Sequence, residues 1–255
     1  EWIQRYAAVL FIPLFIAIVV QYTNNSKPVL SQMLEIKTNP GMTTSVVLPD
    51  STVVYLNSES SLRYPTFFEG DTRDVELRGE AYFAVAKDLK KKFFVPTPHA
   101  SKIEVLGTHF HGEAYEDEPD VSTTLVEGHV CFHFNDRDYR VKKVVMKPGQ
   151  KLVYSSTSGD VRLYATSGLS ETAWKDGKII FSNTPMEVAL RMLEKRFNVT
   201  FIIKNTRLKT NAFTGTFTEQ RLERILEYFK ISSKIQWRYL ESPDIQDERS
   251  KIEIY

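Results

Sequence analysis

The chain has 255 residues, with 33 Lys and Arg against 32 Asp and Glu, a formal net charge of +1. So even a balance gives no electrostatic case for nucleic acid as a partner. The single cysteine, Cys131, excludes an internal disulfide, so the fold must rest on hydrophobic cores, which a chain of this length can build.

Tyr6 to Tyr22 reads YAAVLFIPLFIAIVVQY, without a charge. Trp2, Tyr6 and Tyr22 stand where interfacial aromatics belong and Arg5 flanks the amino-terminal side, which predicts a single transmembrane anchor over residues 1–22. A cleaved signal peptide with Pro13 in its apolar region is the rival, but no small-x-small site follows Val20. On this reading residues 23–40 are a polar linker leaving the membrane. The bulk of the chain then lies on the far side, and a cytoplasmic segment is expected ahead of Glu1.

Residues 41–165 carry short β-type runs between turn signals: Ser45–Leu48, Pro49-Asp50-Ser51, Thr52–Leu56, Asp74–Arg78, Ile103–Tyr115 and Leu125–Phe134, then turns at Pro148-Gly149 and Ser158-Gly159-Asp160. Without a sustained 3.6-residue period, this argues an all-β domain, a sandwich or a short solenoid.

After Gly168 the texture changes, and residues 170–255 read as a small α+β domain. Lys178–Phe181 is strand-like. Thr184 as cap, Pro185 at the first helical position and Glu187 predict a helix start. Met186, Ala189, Leu190, Leu193 and Phe197 share one helical face, and Val199–Ile203 returns as a strand. The phrase recurs 36 residues on, Phe181 falling on Phe217. Met186 then falls on Leu222, Ala189 on Ile225, Leu190 on Leu226, Leu193 on Phe229, Val199 on Ile235 and Phe201 on Trp237. Two such β-α-β phrases cannot each bury a helix face alone, so they should share one core.

Six blocks carry a resemblance. Leu48-Pro-Asp-Ser-Thr-Val-Val-Tyr-Leu-Asn-Ser58 is similar to the LPDGSxVxLNxxS block of the FecR family of anti-sigma factors. Val75-Glu-Leu-Arg-Gly-Glu-Ala-Tyr-Phe-Ala-Val85 resembles its VxLxGEAxFxV element, Val105–Phe110 its VLGTxF, Thr124–Gly128 its TLxEG, and Pro148-Gly-Gln150 its PGQ. Ala173-Trp174 through Gly177 and Phe181 resembles the AWxxGxxxF that opens the carboxy-terminal domain. Where the family has Asp-Gly after Leu-Pro, this chain has Asp50-Ser51, so Ser51 occupies a turn position often given to a residue tolerant of positive φ.

The resemblance implies a bacterial inner-membrane, single-pass regulator with most of its chain in the periplasm. Its expected partners are the amino-terminal signalling domain of a TonB-dependent outer-membrane transporter and, through the cytoplasmic segment, an extracytoplasmic-function sigma factor. The alternative is a membrane-anchored envelope assembly or binding protein that uses a secretin-like β-α-β module. Partner contact is expected by strand addition to a sheet edge. Asn211, Ala212, Phe213, Thr214, Gly215, Thr216 and Phe217 are the first candidate edge, because Gly215 suits close backbone approach; Ile179 and Phe181, in Lys178–Phe181, are the second.

The family resemblance also marks Gly107-Thr108 as a candidate self-cleavage pair, in which Thr108 Oγ would attack the Gly107 carbonyl with His109 or His111 as base. The competing reading makes Gly107 a bulge between strands. His129, Cys131 and His133 alternate with Val130, Phe132 and Phe134 and share a face, but one strand seldom supplies tetrahedral ligands, so no metal is expected from them. Glu113, Glu116, Asp117 and Glu118 read as a solvated acidic loop. GxSxG, P-loop, HExxH and Gly-rich dinucleotide motifs are missing, so neither an enzyme nor a cofactor is expected.

Overall fold

The computed structural model of the protein describes residues 11, 13–21, 31–204, 211–240 and 249–255. Most of the expected anchor therefore lies outside the described residues. Residues 13–21 are helical, with Leu14, Phe15, Ile16, Ile18, Val19 and Val20 exposed. Among the described residues no helix is long and apolar enough to cross a membrane.

The β region contains β1 (Met33–Lys37), β2 (Thr44–Val47), β3 (Val53–Leu56), β4 (Ser61–Pro65), β5 (Thr72–Asp74), β6 (Glu76–Ala84), β7 (Lys92–Thr97), β8 (Ser101–Val105), β9 (His109–Ala114), β10 (Asp120–Glu127), β11 (Val130–Asn135), β12 (Val141–Met146), β13 (Gln150–Ser155) and β14 (Asp160–Ala165). One sheet runs β1-β4-β6-β9-β10-β13-β14, with the β2–β3 hairpin joined to β6; the other runs β12-β11-β8-β7-β5. Alternate residues face inward from both sheets: Leu77, Ala81 and Phe83 from β6, Phe93 and Val95 from β7, Ile103 and Val105 from β8, and Val130, Phe132 and Phe134 from β11. Phe83 meets Phe93 edge-on across the layers, and Tyr154 packs on Phe132 and Phe134. The architecture is a two-sheet sandwich.

One expectation changes here and one holds. Part of the segment read as a linker, residues 23–40, is sheet, since β1 pairs antiparallel with β4. Thr38, buried behind it, bonds the Asn57 and Ser60 carbonyls. Ser51 takes φ 70, as the missing turn glycine demands, and its N–H donates to the Leu48 carbonyl.

The carboxy-terminal module opens with a one-turn helix α1 (Leu169–Thr172) and a 3-10 turn, Ala173–Asp176. It continues through β15 (Ile179–Pro185), α2 (Met186–Phe197), β16 (Val199–Ile203), β17 (Ala212–Phe217), α3 (Leu222–Ser233), β18 (Trp237–Leu240) and β19 (Ser250–Ile254). The repeat is visible in the helices. Each has 12 residues, the second starts 36 residues after the first, and they bury Met186, Ala189, Leu190 and Leu193 in one and Leu222, Ile225, Leu226 and Phe229 in the other. Both end on a left-handed residue, Asn198 or Lys234. All eight apolar residues join one core.

The strands before and after each helix lie in different sheets, however. β15 pairs antiparallel with β17, while β16 and β18 flank β19. Each phrase thus contributes one strand to each sheet, which is how two incomplete units close a common core. The start of α2 falls one residue later than its sequence signals: Pro185 is the N-cap, without a side-chain cap bond, and Thr184 belongs to β15.

One buried cation holds the loops at one end of the sandwich. Arg73, 2% exposed, pairs with Asp50 at 2.7 Å and donates to the Ala86, Lys91 and Leu106 carbonyls, with its guanidinium over Phe93. Asp50 also accepts from the Thr52 N–H and hydroxyl. Methionine has comparable bulk but no donors, so Arg73→Met leaves Asp50 and three carbonyls short of partners. It should cost about 3–5 kcal/mol, read as a lower urea midpoint at unchanged slope.

Candidate functional site

The predicted site residues fall in two places: Gly107 and Thr108 lie in the sandwich without a base beside them, while the two candidate edges pair with each other in the carboxy-terminal module. Gly107 and Thr108 lie in the bend between β8 and β9, and the register irregularity sits opposite, between Leu125 and Glu127 of β10. Gly107 is thus not the bulge itself. It is a close-approach point: a Cβ there would stand 2.6 Å from Lys87 Cα. Thr108 is buried, and its hydroxyl donates to the His129 carbonyl at 2.9 Å. A carbonyl is no base. His109 instead faces Tyr82 and Glu127, and His111 bonds Glu80.

The candidate edges are the two strands of one sheet. β17 pairs with β15 through Ile179–Phe217, Ile180–Thr216, Phe181–Gly215 and Thr184–Phe213. Met186 N–H donates to the Asn211 carbonyl, which sets the alternation. Phe213, Gly215 and Phe217 turn their backbone groups toward β15, and Ala212, Thr214 and Thr216 turn theirs outward. Those three side chains are also exposed, whereas Phe213 is stacked on Phe229 at 3.7 Å. Among the described residues β17 has a strand partner on one side only.

The most organised polar constellation lies where α2 covers the outer face of the larger sheet. Lys195 Nζ sits 2.9 Å from Glu80 of β6 and 2.6 Å from Glu113 of β9, over the Tyr115 ring at 4.4 Å. His111 Nε2 lies 2.9 Å from the other Glu80 oxygen, and Tyr115 donates to the Ser58 carbonyl. Arg191, one turn earlier on α2, pairs with Glu118. The acidic stretch read as a solvated loop therefore places Glu113 and Glu118 against the helix. Beside these groups opens a cleft of about 710 Å³, lined by Glu80, His111, Glu113, Trp174, Arg191 and Lys195. His111 Nδ1 has no hydrogen-bond partner among the described residues.

Local structure explains why Glu80 is there. β6 pairs with β4 through Glu76–Arg78 and with β3 through Ala81–Ala84, so Gly79-Glu80 is the joint between partners. Gly79 takes φ +99, and a Cβ would stand 2.7 Å from Ser60 Cα. Glu80 N–H takes the Ser60 hydroxyl as acceptor, and its carbonyl accepts from Asn57. Burial alone would push the Glu80 and Glu113 carboxyls up, but the Lys195 ammonium holds both below the usual carboxylate range. Burial likewise works against the Lys195 charge, yet the two carboxylates hold its pKa well above the ordinary lysine value.

A third cluster lies on the outer face of the smaller sheet. β11 begins at Val130, so His129 precedes it, but Cys131 and His133 share that face with Glu104 of β8.

The family model for the FecR protein matches residues 35–131, and that for the FecR carboxy-terminal region matches 178–245. The chain belongs to the FecR family of anti-sigma factors. Two crystal structures of a candidate anti-sigma factor from Parabacteroides distasonis ATCC 8503 are similar to it. One aligns with TM-score 0.75 and 29% identity over 87% of this chain and 98% of that one; the other with 0.73 and 28% over 88% and 99%. A comparison with curated proteins found no match.

Glu80 and Glu113 are held low, so their stabilisation is complete above the ordinary value of about 4.3 and is lost as pH falls through the folded values. Lys195 is held high, so its contribution is complete below about 10.4 and is lost only above its folded value. Lys195→Met strands two buried carboxylates and should cost about 3–5 kcal/mol at neutral pH. Those carboxylates then bind protons more readily in the folded state, so the deficit should narrow below about pH 5. Urea unfolding of both proteins at pH 7 and pH 5 measures this; an equal deficit at the two values would contradict it.

Proposed function

We propose that this FecR-family regulator is held in the bacterial inner membrane by its apolar amino-terminal segment, with the sandwich and carboxy-terminal module in the periplasm. In this reading it carries a signal from the amino-terminal signalling domain of a TonB-dependent outer-membrane transporter to an extracytoplasmic-function sigma factor. The supporting observation is the outer edge of β17, where Ala212, Thr214 and Thr216 have no strand partner among the described residues and so offer backbone groups to an added strand. The exposed apolar side chains of residues 13–21 support the anchor.

Thr216→Pro removes an outward N–H without touching the β15 ladder, a position where an edge strand tolerates proline. It should weaken binding of the transporter's signalling domain at least tenfold by calorimetry while leaving the urea midpoint nearly unchanged. Undiminished affinity would rule out this edge. Phe213→Pro is a poorer probe, because it also removes a ring from the core.

The reading assigns no catalysis, self-cleavage included, and Thr108 acts as a packing hydroxyl. The purified chain should run as one band on a denaturing gel after prolonged incubation. Two fragments that disappear in Thr108→Ala would establish the acyl shift instead. A reporter active only in the cytoplasm, fused after Tyr255, should be silent; activity there would overturn the topology.

A further inference from the structure

Cys131 and His133 are two residues apart on β11 and project from the outer face of the smaller sheet; Glu104 is the register partner of Cys131 on the neighbouring strand β8. One thiol, one imidazole nitrogen and one carboxylate oxygen lie within 4.8 Å of one another. Two ligands from one strand leave a coordination sphere open on one side. A third from the adjacent strand closes a triangular face: Glu104 joins Cys131 and His133 where the sequence offered His129, which precedes β11.

We propose that Glu104, Cys131 and His133 form a binding site for a divalent zinc ion, with the fourth position left to water. Zinc accepts sulfur, imidazole nitrogen and carboxylate oxygen together, and three protein ligands with one open position is an arrangement it commonly adopts. The Glu104 carboxylate is already divided between two partners. Lys92 Nζ holds Oε1 at 2.6 Å, and His133 Nε2 lies 2.8 Å from Oε2. The ion would take the place of the proton shared by His133 Nε2 and Glu104 Oε2. Lys92 would keep Oε1 and so orient the carboxylate from outside the coordination sphere.

The surroundings suit an ion that arrives from solution. Glu104 and His133 are about one-fifth exposed, so the ligands are accessible yet partly shielded from water. Phe94 and Val145 stand opposite Glu104 and Cys131 on the flanking strands and wall the site. On binding, the proton between His133 Nε2 and Glu104 moves to His133 Nδ1 and the Cys131 thiol proton leaves to solvent, so the site loads more tightly as pH rises.

The test uses the untagged chain and cobalt(II) as a spectroscopic probe, with zinc as competitor. One equivalent of cobalt should give a thiolate-to-metal charge-transfer band with tetrahedral visible bands, and one equivalent of zinc should bleach both. Cys131 is the chain's only cysteine, so the band can report no other thiol. Cys131→Ser should abolish it, and Glu104→Gln and His133→Gln should each weaken cobalt binding at least tenfold. In the unmodified protein, zinc should slow alkylation of Cys131 at least tenfold, a readout that needs no variant to fold. Absence of the charge-transfer band, a band unchanged in Glu104→Gln and His133→Gln, or alkylation indifferent to zinc would each overturn the assignment.

Discussion

Lys195 carries its charge into the seam between the sandwich and the carboxy-terminal module, where two carboxylates from adjacent strands meet it. Moving such groups out of water costs several kcal/mol each, and only their mutual attraction and completed hydrogen bonds offset it. Only the ammonium is indispensable: either carboxylate alone would make a balanced pair with Lys195, whereas without it two buried carboxylates face each other. The chain separating Glu80 from Lys195 crosses most of the sandwich, so this contact, with Arg191–Glu118 beside it, joins parts of the two cores that lie far apart in sequence.

The same logic explains why recognisable blocks in this sequence are short and rich in glycine and charge. Asp50, in the first block, is fixed by Arg73, which also holds the carbonyl of Leu106 immediately before Gly107. Gly79 allows the chain to pass Ser60 where β6 exchanges partners, and this delivers Glu80 to the seam. Gly128, at φ +94, lies so close to Thr108 that a Cβ would stand 2.8 Å from its hydroxyl oxygen. The glycines of these blocks stand at joints between strands distant in sequence.

What could be read from sequence was local. The helices of the module, their buried faces and their 36-residue offset follow from periodicity, and the positive φ of Ser51 follows from the absent turn glycine. Partnerships made across the fold were not legible. Glu113 and Glu118 resemble any solvated acidic run until α2 supplies Lys195 and Arg191, and nothing in the spacing of Cys131 and His133 points to Glu104 on another strand. β1 and β19 are short and join their sheets through distant partners, β4 for one and β16 with β18 for the other. Composition gave them no turn signal strong enough to separate them from linker. The cap of α2 was misplaced by one residue because the Met186 N–H finds its acceptor at Asn211 of the neighbouring segment, not in a local capping box.

That last contact ties the open edge to the seam. Asn211 leads directly into β17, its carbonyl holds the first N–H of α2, and Lys195 lies nine residues further along the same helix. The path from the outer edge of β17 to Glu80 thus runs through one strand pair and one rigid helix, without an intervening loop. A strand added at this edge would bear on the element that fixes the start of α2, and any shift of that helix along its axis would carry the Lys195 ammonium relative to the two carboxylates.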